Sequence, residues 1–515
     1  MTAAAAGVRA PGLERAFITA SIMAAALMQT LDTTIANVAL PHMQGGVSAS
    51  QDQIVWVLTS YIVAAAVMTP LTGYLSDKIG RKNLFLFSVA GFTIASAMCG
   101  AAQSLGQIVA FRFVQGLAGA ALMPLAQAVM LDINPPERYG QAMATFASAV
   151  VLGPLIGPTL GGWLTENYSW RWVFFINLPV GAAAFLGAWT FLPGKPHPNA
   201  PRFDAFGFGS LAGGICALQL MLDRGQQNDW FGSTETWIEA GVAGLGFYLF
   251  LIHTLTARAP LFSRGVFADR NFRTTTLASL IIMGAMYASL ALVPPMLQNL
   301  YGYPVFTTGL LLVPRGLGVF LTMLTVGRLL NFVDARILIG VGLALLAASF
   351  FIMSRFALIM GFGPMIWSGF IQGVAMGLLF VPLNTIGFMT LPGQYRIQAT
   401  TISNLVRNLG GSIGISLLQA LFTANAQRAH AALAAHVRPE APGLARMLSA
   451  TGLPMESALP MINGLATRDS MMIAYVNDYW LMAVVMVLLF PTLLLLRPAH
   501  GQPGGGVAPR APVME

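Results

Sequence analysis

The stretch Gly73-Tyr-Leu-Ser-Asp77-Lys-Ile-Gly80-Arg81-Lys82 breaks two long apolar runs with a charged, turn-forming segment, and a related segment, GRLLNFVDAR, occupies 327–336, an offset of 254 residues. Two further pairs share nearly that spacing. FVQGLAG at 113–119 matches FIQGVAM at 370–376, and GPLIG at 153–157 matches GGSIG at 410–414, both offset by 257. Each match is weak alone; three at nearly one spacing indicate a chain built from two related halves.

The surroundings of these repeats set the class of protein. Of 515 residues, 9% are charged and 56% are hydrophobic, whereas a soluble domain carries roughly 25% charge. A water-exposed surface cannot be built from so few charges, so the chain reads as an all-α polytopic membrane protein. The formal charge of +8 is too dilute for a basic stripe, and no nucleic-acid partner is expected. Cys99 and Cys216 lie in apolar runs and offer neither a disulfide framework nor a metal site. The six histidines are scattered, so no enzyme active site, metal or cofactor is expected.

A hydrocarbon core about 30 Å thick needs roughly 20 apolar residues per helix. Fourteen such runs are found, from 16–39 to 477–496. The repeat offset spans eight of them, which places two six-helix halves around an inserted pair, a 6+2+6 arrangement. The expected organisation is a cytoplasmic N-terminal segment (1–15), an N-terminal six-helix bundle (16–192), a linker with two inserted transmembrane helices (193–273), a C-terminal six-helix bundle (274–496) containing a long outer loop (425–476), and a cytoplasmic tail (497–515). The first apolar run lacks a small-residue cleavage signature and reads as a retained span. Of the 27 basic residues, 17 fall on the side of the N-terminus and seven on the other. Both termini are therefore expected in the cytoplasm.

Four charges remain inside spans: Asp32, Arg112, Arg315 and Arg407. Asp32 is the one carboxylate read as intramembrane, and such an acid costs on the order of 3 kcal/mol on insertion scales. Burial favours the neutral acid and a nearby arginine favours the carboxylate, which is how a reversible proton site is poised. The alternative is a helix-packing residue bonded to Thr33 or Asn37. Arg112 must meet carbonyls, a carboxylate or a water cavity, and Asp32 is its evident electrostatic partner. Gln115, Arg315 and Arg407 are candidate substrate-cavity residues, the two arginines favouring anions; snorkelling or backbone bonding is the other reading of either arginine. In the opening motif Gly73 and Gly80 permit close approach and a tight turn, Asp77 can face a helix N-terminus, and Arg81 and Lys82 can pair with carboxylates, Asp132 among them. Its Asp77-Lys-Ile-Gly80 core is similar to the DKTG of ion-pumping ATPases. No phosphate-binding GxxxxGK[ST] loop occurs, so ATP drive is not expected. Gly153, Pro154, Gly157, Pro158, Gly161 and Gly162 form a small-residue set suited to close helix packing and bending.

The opening motif resembles the loop signature of the major facilitator superfamily. Leu31-Asp32-Thr33-Thr34-Ile35-Ala36-Asn37-Val38-Ala39-Leu40-Pro41 resembles the first-span motif of its fourteen-span drug:proton antiporters, the EmrB/QacA family. Arg112-Phe-Val-Gln115-Gly116 and the 153–162 set resemble two more of its motifs. Ser169-Trp170-Arg171-Trp172, Phe174-Phe175-Ile176-Asn177-Leu178-Pro179, Leu222-Asp223-Arg224-Gly225 and Asp229-Trp230-Phe231 are similar to its EmrB subgroup. The resemblance runs from about 16 to 496 and implies the major facilitator fold. It implies proton coupling at Asp32 and Arg112, a conformational switch at Gly73, Asp77, Gly80, Arg81, Lys82 and Asp132, and the antiporter motif of exporters at 153–162. The implied activity is proton-coupled multidrug efflux of small hydrophobic substrates by alternating access, driven by the proton gradient without a cofactor. The implied setting is a bacterial inner membrane, with a membrane-fusion (periplasmic adaptor) protein and an outer-membrane channel as partners. A carrier or exporter dedicated to one metabolite would share the fold and stays open as the alternative.

Overall fold

The computed structural model describes residues 12–54, 56–135, 138–194, 203–435 and 455–496. Among these residues all regular structure is helical. The long helices are α1 (Gly12–Gly46), α2 (Trp56–Ile79), α3 (Arg81–Ala101), α4 (Leu105–Asp132), α5 (Tyr139–Asn167), α6 (Trp172–Phe191), α7 (Ala205–Arg224), α8 (Thr234–Thr256), α9 (Arg270–Leu300), α10 (Val305–Leu329), α11 (Ala335–Met353), α12 (Phe362–Met389), α13 (Arg396–Ala435) and α14 (Leu459–Leu495). Among the described residues thirteen helices are long and apolar enough to cross a membrane. The other, α5, is 29 residues long and supplies the fourteenth span. Large apolar side chains such as Phe87, Trp189, Leu251, Leu324 and Trp367 stand exposed around the bundle. That is costly in water and expected against lipid.

The repeat is visible as packing. In the first half α1 packs on α5, α2 on α4, and α3 on α4 and α6; in the second half α9 packs on α13, α10 on α12, and α11 on α12 and α14. The inserted helices α7 and α8 pack on each other, and α7 also touches α2 and α13. Asp204 holds the start of the pair, capping α7 at the Gly207 N–H (2.8 Å) and meeting His253 Nε2 of α8 (2.8 Å). One difference between the halves matters below. The last helix of the first half, α6, also lies against α1, whereas its counterpart α14 lies mainly against α13.

The halves meet through α4–α13, α5–α10 and α5–α12. Gly140 and Gly327 allow the α5–α10 crossing: a Cβ on Gly327 would lie 3.0 Å from the Gln141 Cα. The turn between α2 and α3 is made at Gly80, with φ +84°, a conformation few side chains tolerate.

The long outer loop expected at 425–476 is largely helical. Alanine-rich sequence with high helix propensity carries α13 to Ala435, and helix resumes at Met455 ahead of α14. His430 Nε2 and Asn463 Oδ1, 3.0 Å apart, tie the two extensions together. Residues 436–454 of that segment lie outside the described residues, as do 1–11, 195–202 of the linker and the tail from 497.

Candidate functional site

The first candidate is a buried polar cluster in the N-terminal half. Asp32 and Arg112 are 0% and 1% exposed. Asp32 Oδ2 accepts from Arg112 Nη1 at 2.6 Å, and Oδ1 accepts from Gln115 Nε2 at 2.9 Å and Asn177 Nδ2 at 2.8 Å. Arg112 Nη1 also donates to Gln115 Oε1 (2.8 Å), and its Nε donates to the Val57 carbonyl (3.1 Å). The guanidinium carbon lies 4.4 Å from the centre of the Tyr61 ring, a cation–π contact in a dry site. Asn177 Nδ2 also reaches Ser96 Oγ at 2.9 Å, and Ser96 donates to the Phe174 carbonyl at 2.8 Å. Helices α1, α4 and α6 thus meet at one carboxylate, and α2 and α3 join the cluster through contacts to Arg112 and Asn177.

Asp32 is therefore not a packing residue bonded to Thr33 or Asn37: Thr33 donates to the Thr30 carbonyl, and Asn37 is exposed. The carboxylate has three donors, one of them a cation, which is the setting of an ionised acid. The Asp32–Arg112 pair ties α1 to α4. Sequence reading missed Asn177, Ser96 and Tyr61 as members. Asn177 lay in a quoted motif, but a neutral amide in an apolar stretch announces no partner.

The second cluster is at the end of the bundle that carries the opening motif. Arg81 pairs with Asp132, whose other oxygen accepts from Arg396 Nη1 of α13 at 3.0 Å; Arg396 also meets the Tyr139 hydroxyl. One carboxylate thus binds a cation from each half. Asp77 sits one turn before Gly80 and acts electrostatically on Arg81. Lys82 departs from expectation: its Nζ donates to the Trp189 carbonyl at 2.6 Å, because α6 rather than a carboxylate lies beside it. Gly73 faces Gln398 of α13, where a Cβ would make ordinary contact at 3.6 Å. Its lack of a side chain is not required by space.

The 153–162 set divides. Gly153, Gly157 and Gly161 face Thr30, Thr34 and Ile35 of α1, and a Cβ at any of them would overlap those side chains. Thr34 Oγ1 donates to the Gly153 carbonyl at 3.3 Å. Pro154 is exposed and Gly162 faces open space, so neither belongs to that face. The side chain of Pro158 lies outside the described residues. At the 257-residue offset, Gly410 and Gly414 pack α13 against Leu280 and Gly284 of α9 in the same manner.

Gln115, Arg315 and Arg407, expected around one cavity, are separated. Gln115 belongs to the Asp32 cluster. Arg315 lines a small, mostly apolar cavity within the C-terminal half, beside Met296, Leu311, Phe356 and Gln372, and its Nη2 donates to the Met286 carbonyl at 3.4 Å. Arg407 instead sits where the halves meet. It donates to Asn384 Oδ1 (3.0 Å), Asn404 Oδ1 (2.8 Å) and Gln127 Oε1 (3.3 Å), and Gln127 Nε2 donates to Asn384 Oδ1 (3.0 Å). Gln127 comes from α4, five residues before Asp132, so these amides join the halves about a turn and a half of helix from the Asp132 pair. Asp32 is also not alone: Asp478 of α14 is 1% exposed. It escaped sequence reading because it lies at the edge of the last apolar run, beside Asn477 and Tyr479.

Two six-helix halves related by an internal repeat, joined by charge pairs at one end, define a multi-pass membrane transporter, and the chain belongs to the major facilitator superfamily: the profile described as Major Facilitator Superfamily matches residues 22–415. Within it, the chain is 35% identical over 500 residues to the multidrug export protein EmrB of Escherichia coli strain K12, covering 96% of this chain and 98% of that one. It is 36% identical over 501 residues to the fatty acid resistance protein FarB of Neisseria gonorrhoeae, with the same coverage. Among solved structures, the proton:xylose symporter XylE superposes with a TM-score of 0.59 at 14% identity, covering 92% of this chain and 94% of that one, a likeness of fold alone.

Proposed function

We propose that the chain is a proton-coupled multidrug exporter that moves hydrophobic toxic compounds by alternating access. The observation that carries this reading is the buried Asp32–Arg112–Gln115–Asn177 cluster, an intramembrane acid held by a cation, set in a transporter fold. The near full-length relatives, a multidrug export protein and a fatty acid resistance protein, support the same reading. The chain sits in a bacterial inner membrane with both termini cytoplasmic. The Asp132 end is then the cytoplasmic side, closed in this conformation. Deprotonated Asp32 holds α1 against α4; protonation frees Arg112 and lets the halves rock about the Gln127–Arg407 contact. One proton moving down roughly 180 mV supplies about 4 kcal/mol, enough for roughly a thousandfold substrate gradient. No cofactor is required. The helical extensions beyond the outer membrane face are the candidate contact for a membrane-fusion protein that leads to an outer-membrane channel.

The test is transport in proteoliposomes of a panel of lipophilic cations, anions and neutral compounds, with and without an imposed pH gradient. Several structurally unrelated compounds should move only when the gradient is present. Transport of a single compound would support a dedicated metabolite carrier, and transport indifferent to the gradient would remove proton coupling. Asp32→Asn should insert and bind substrate yet lose gradient-driven movement.

A further inference from the structure

The Asp32 cluster leaves one buried acid unused. Asp478 has a single hydrogen bond, a long one: Asn425 Nδ2 of α13 donates to Oδ1 at 3.4 Å. Its other oxygen, Oδ2, is buried and has no hydrogen-bond partner among the described residues. Nor does any described Lys, Arg or His form an ion pair with it. Its surroundings are aromatic. Tyr475 and Tyr479 flank it on α14, Tyr475 packs against Phe422 of α13 at 4.4 Å between ring centres, and Tyr479 packs edge-on to Phe356. The Tyr479 hydroxyl points at Met296 Sδ on α9 (3.9 Å) rather than at the acid. Of the nearby cations, Arg468 is held by the Leu300 carbonyl and Arg315 by that of Met286. Arg428 on α13 is exposed. Tyr301, at the end of α9, donates to the Ala357 carbonyl.

A carboxylate in such a place cannot hold its charge. A hydroxyl left without an acceptor costs far less than a buried anion without a counterion. The two buried acids among the described residues are thus opposites in their surroundings: Asp32 has three donors including an arginine, and Asp478 has one weak donor and none that is charged. We propose that Asp478 is a second proton-binding site, one in the C-terminal half, that carries its proton in this conformation and releases it when the α13–α14 contact opens to water. Asp478 lies 17 residues from Leu495, about 26 Å along a helix. With the C-terminus inside, that is the outer part of a core about 30 Å thick, the side from which protons enter. The step is proton binding and release at a carboxyl oxygen, with nothing oxidised or transferred besides the proton. The two acids together then move two protons per cycle. This role in transport rests on the proton-coupled reading above; the protonation itself does not.

Infrared difference spectroscopy of the purified full-length protein at neutral pH tests the site directly. A protonated-carboxyl C=O band is expected in the wild type and in Asp32→Asn, shifted in Asn425→Leu and absent in Asp478→Asn. A band that survives Asp478→Asn, or its absence from the wild type, overturns the proposal without bearing on transport. Reversal-potential measurements with a neutral substrate test the role. The proton number should fall from two to one in Asp478→Asn, and the gradient sustained at roughly 180 mV should fall from about a millionfold to about a thousandfold. An unchanged proton number in that variant overturns the second site, whereas a wild type that shows no gradient-driven transport overturns the exporter reading instead.

Discussion

Asp32 in α1 and Ser289 in α9 stand 257 residues apart, the offset of the repeat, and so do Gln115 and Gln372. In each half the glutamine reaches across to its α1 or α9 partner: Gln115 Nε2 donates to Asp32, and Gln372 Nε2 donates to Ser289 Oγ at 3.1 Å. The third position differs as well, Arg112 in one half and Gly369 in the other. The C-terminal half fills the space beside Gly369 with Arg315 from α10. The same scaffold position therefore holds an ion pair in one half and a neutral hydroxyl bond in the other. A repeat preserves backbone packing, since close helix approach depends on small residues at fixed spacing. It does not preserve charge, because a carboxylate and a hydroxyl can each accept the glutamine's hydrogen bond at that position.

That contrast breaks most visibly at Arg112. Arg112→Met leaves Asp32 buried without its cation and should cost about 3–5 kcal/mol, read as a lowered denaturant midpoint in detergent. Adding Asp32→Leu to it should recover much of the loss, and a double variant as unstable as the single one would show that the pair does not interact. The helix packing common to both halves comes next. Gly157→Val and Gly414→Val should each cost about 1–3 kcal/mol or more by overpacking, whereas Gly162→Ala, which faces open space, should change stability by less than about 0.5 kcal/mol. Equal effects at all three sites would mean that the α1–α5 crossing is looser than described.

Smaller effects sharpen the difference between the halves. Ser289→Ala removes one neutral hydrogen bond and should cost about 1 kcal/mol, with the proton number per substrate unchanged; a loss of proton coupling there would make the halves functionally equivalent. Asp132→Asn weakens partly exposed pairs and should lower stability by no more than about 1 kcal/mol. Its clearer readout is conformational. Cysteine labelling near Gln398 should become faster as the halves part at that end, and unaltered labelling would show that the Gln127–Arg407 amides alone hold them.

Much of this arrangement is legible in residues taken singly. Apolar runs of membrane length mark the helices, and the GxLxDxxGRK spacing marks the turn at Gly80 and the cation at Arg81. Asp32 and Arg112 stand out because charge is rare in a span. What escaped is neutral or marginal. Asn177, Ser96 and Tyr61 are ordinary side chains within apolar helices, and only convergence of α2, α3 and α6 brings them into one cluster around Asp32 and Arg112. Gln127, Asn384 and Asn404 are likewise unremarkable until α4 meets α12 and α13. The segment at 425–476 read as a loop because its polarity ends the apolar pattern, yet a helix can run past the membrane surface when its residues favour helix over coil.

The sequence by itself determined the class, the helix count, the two-half repeat and most of the intramembrane charges, because a bilayer penalises polar atoms so strongly that their distribution writes the topology. Only the tertiary structure decided which charges are paired. It gave Asp32 three donors, gave Asp132 a cation from each half, dispersed Gln115, Arg315 and Arg407 to three separate places, and left Asp478 with one long bond. Hydrophobicity is a property of each residue and accumulates along the chain, whereas a hydrogen bond or ion pair needs two groups within about 3 Å, and that distance is set by helix packing.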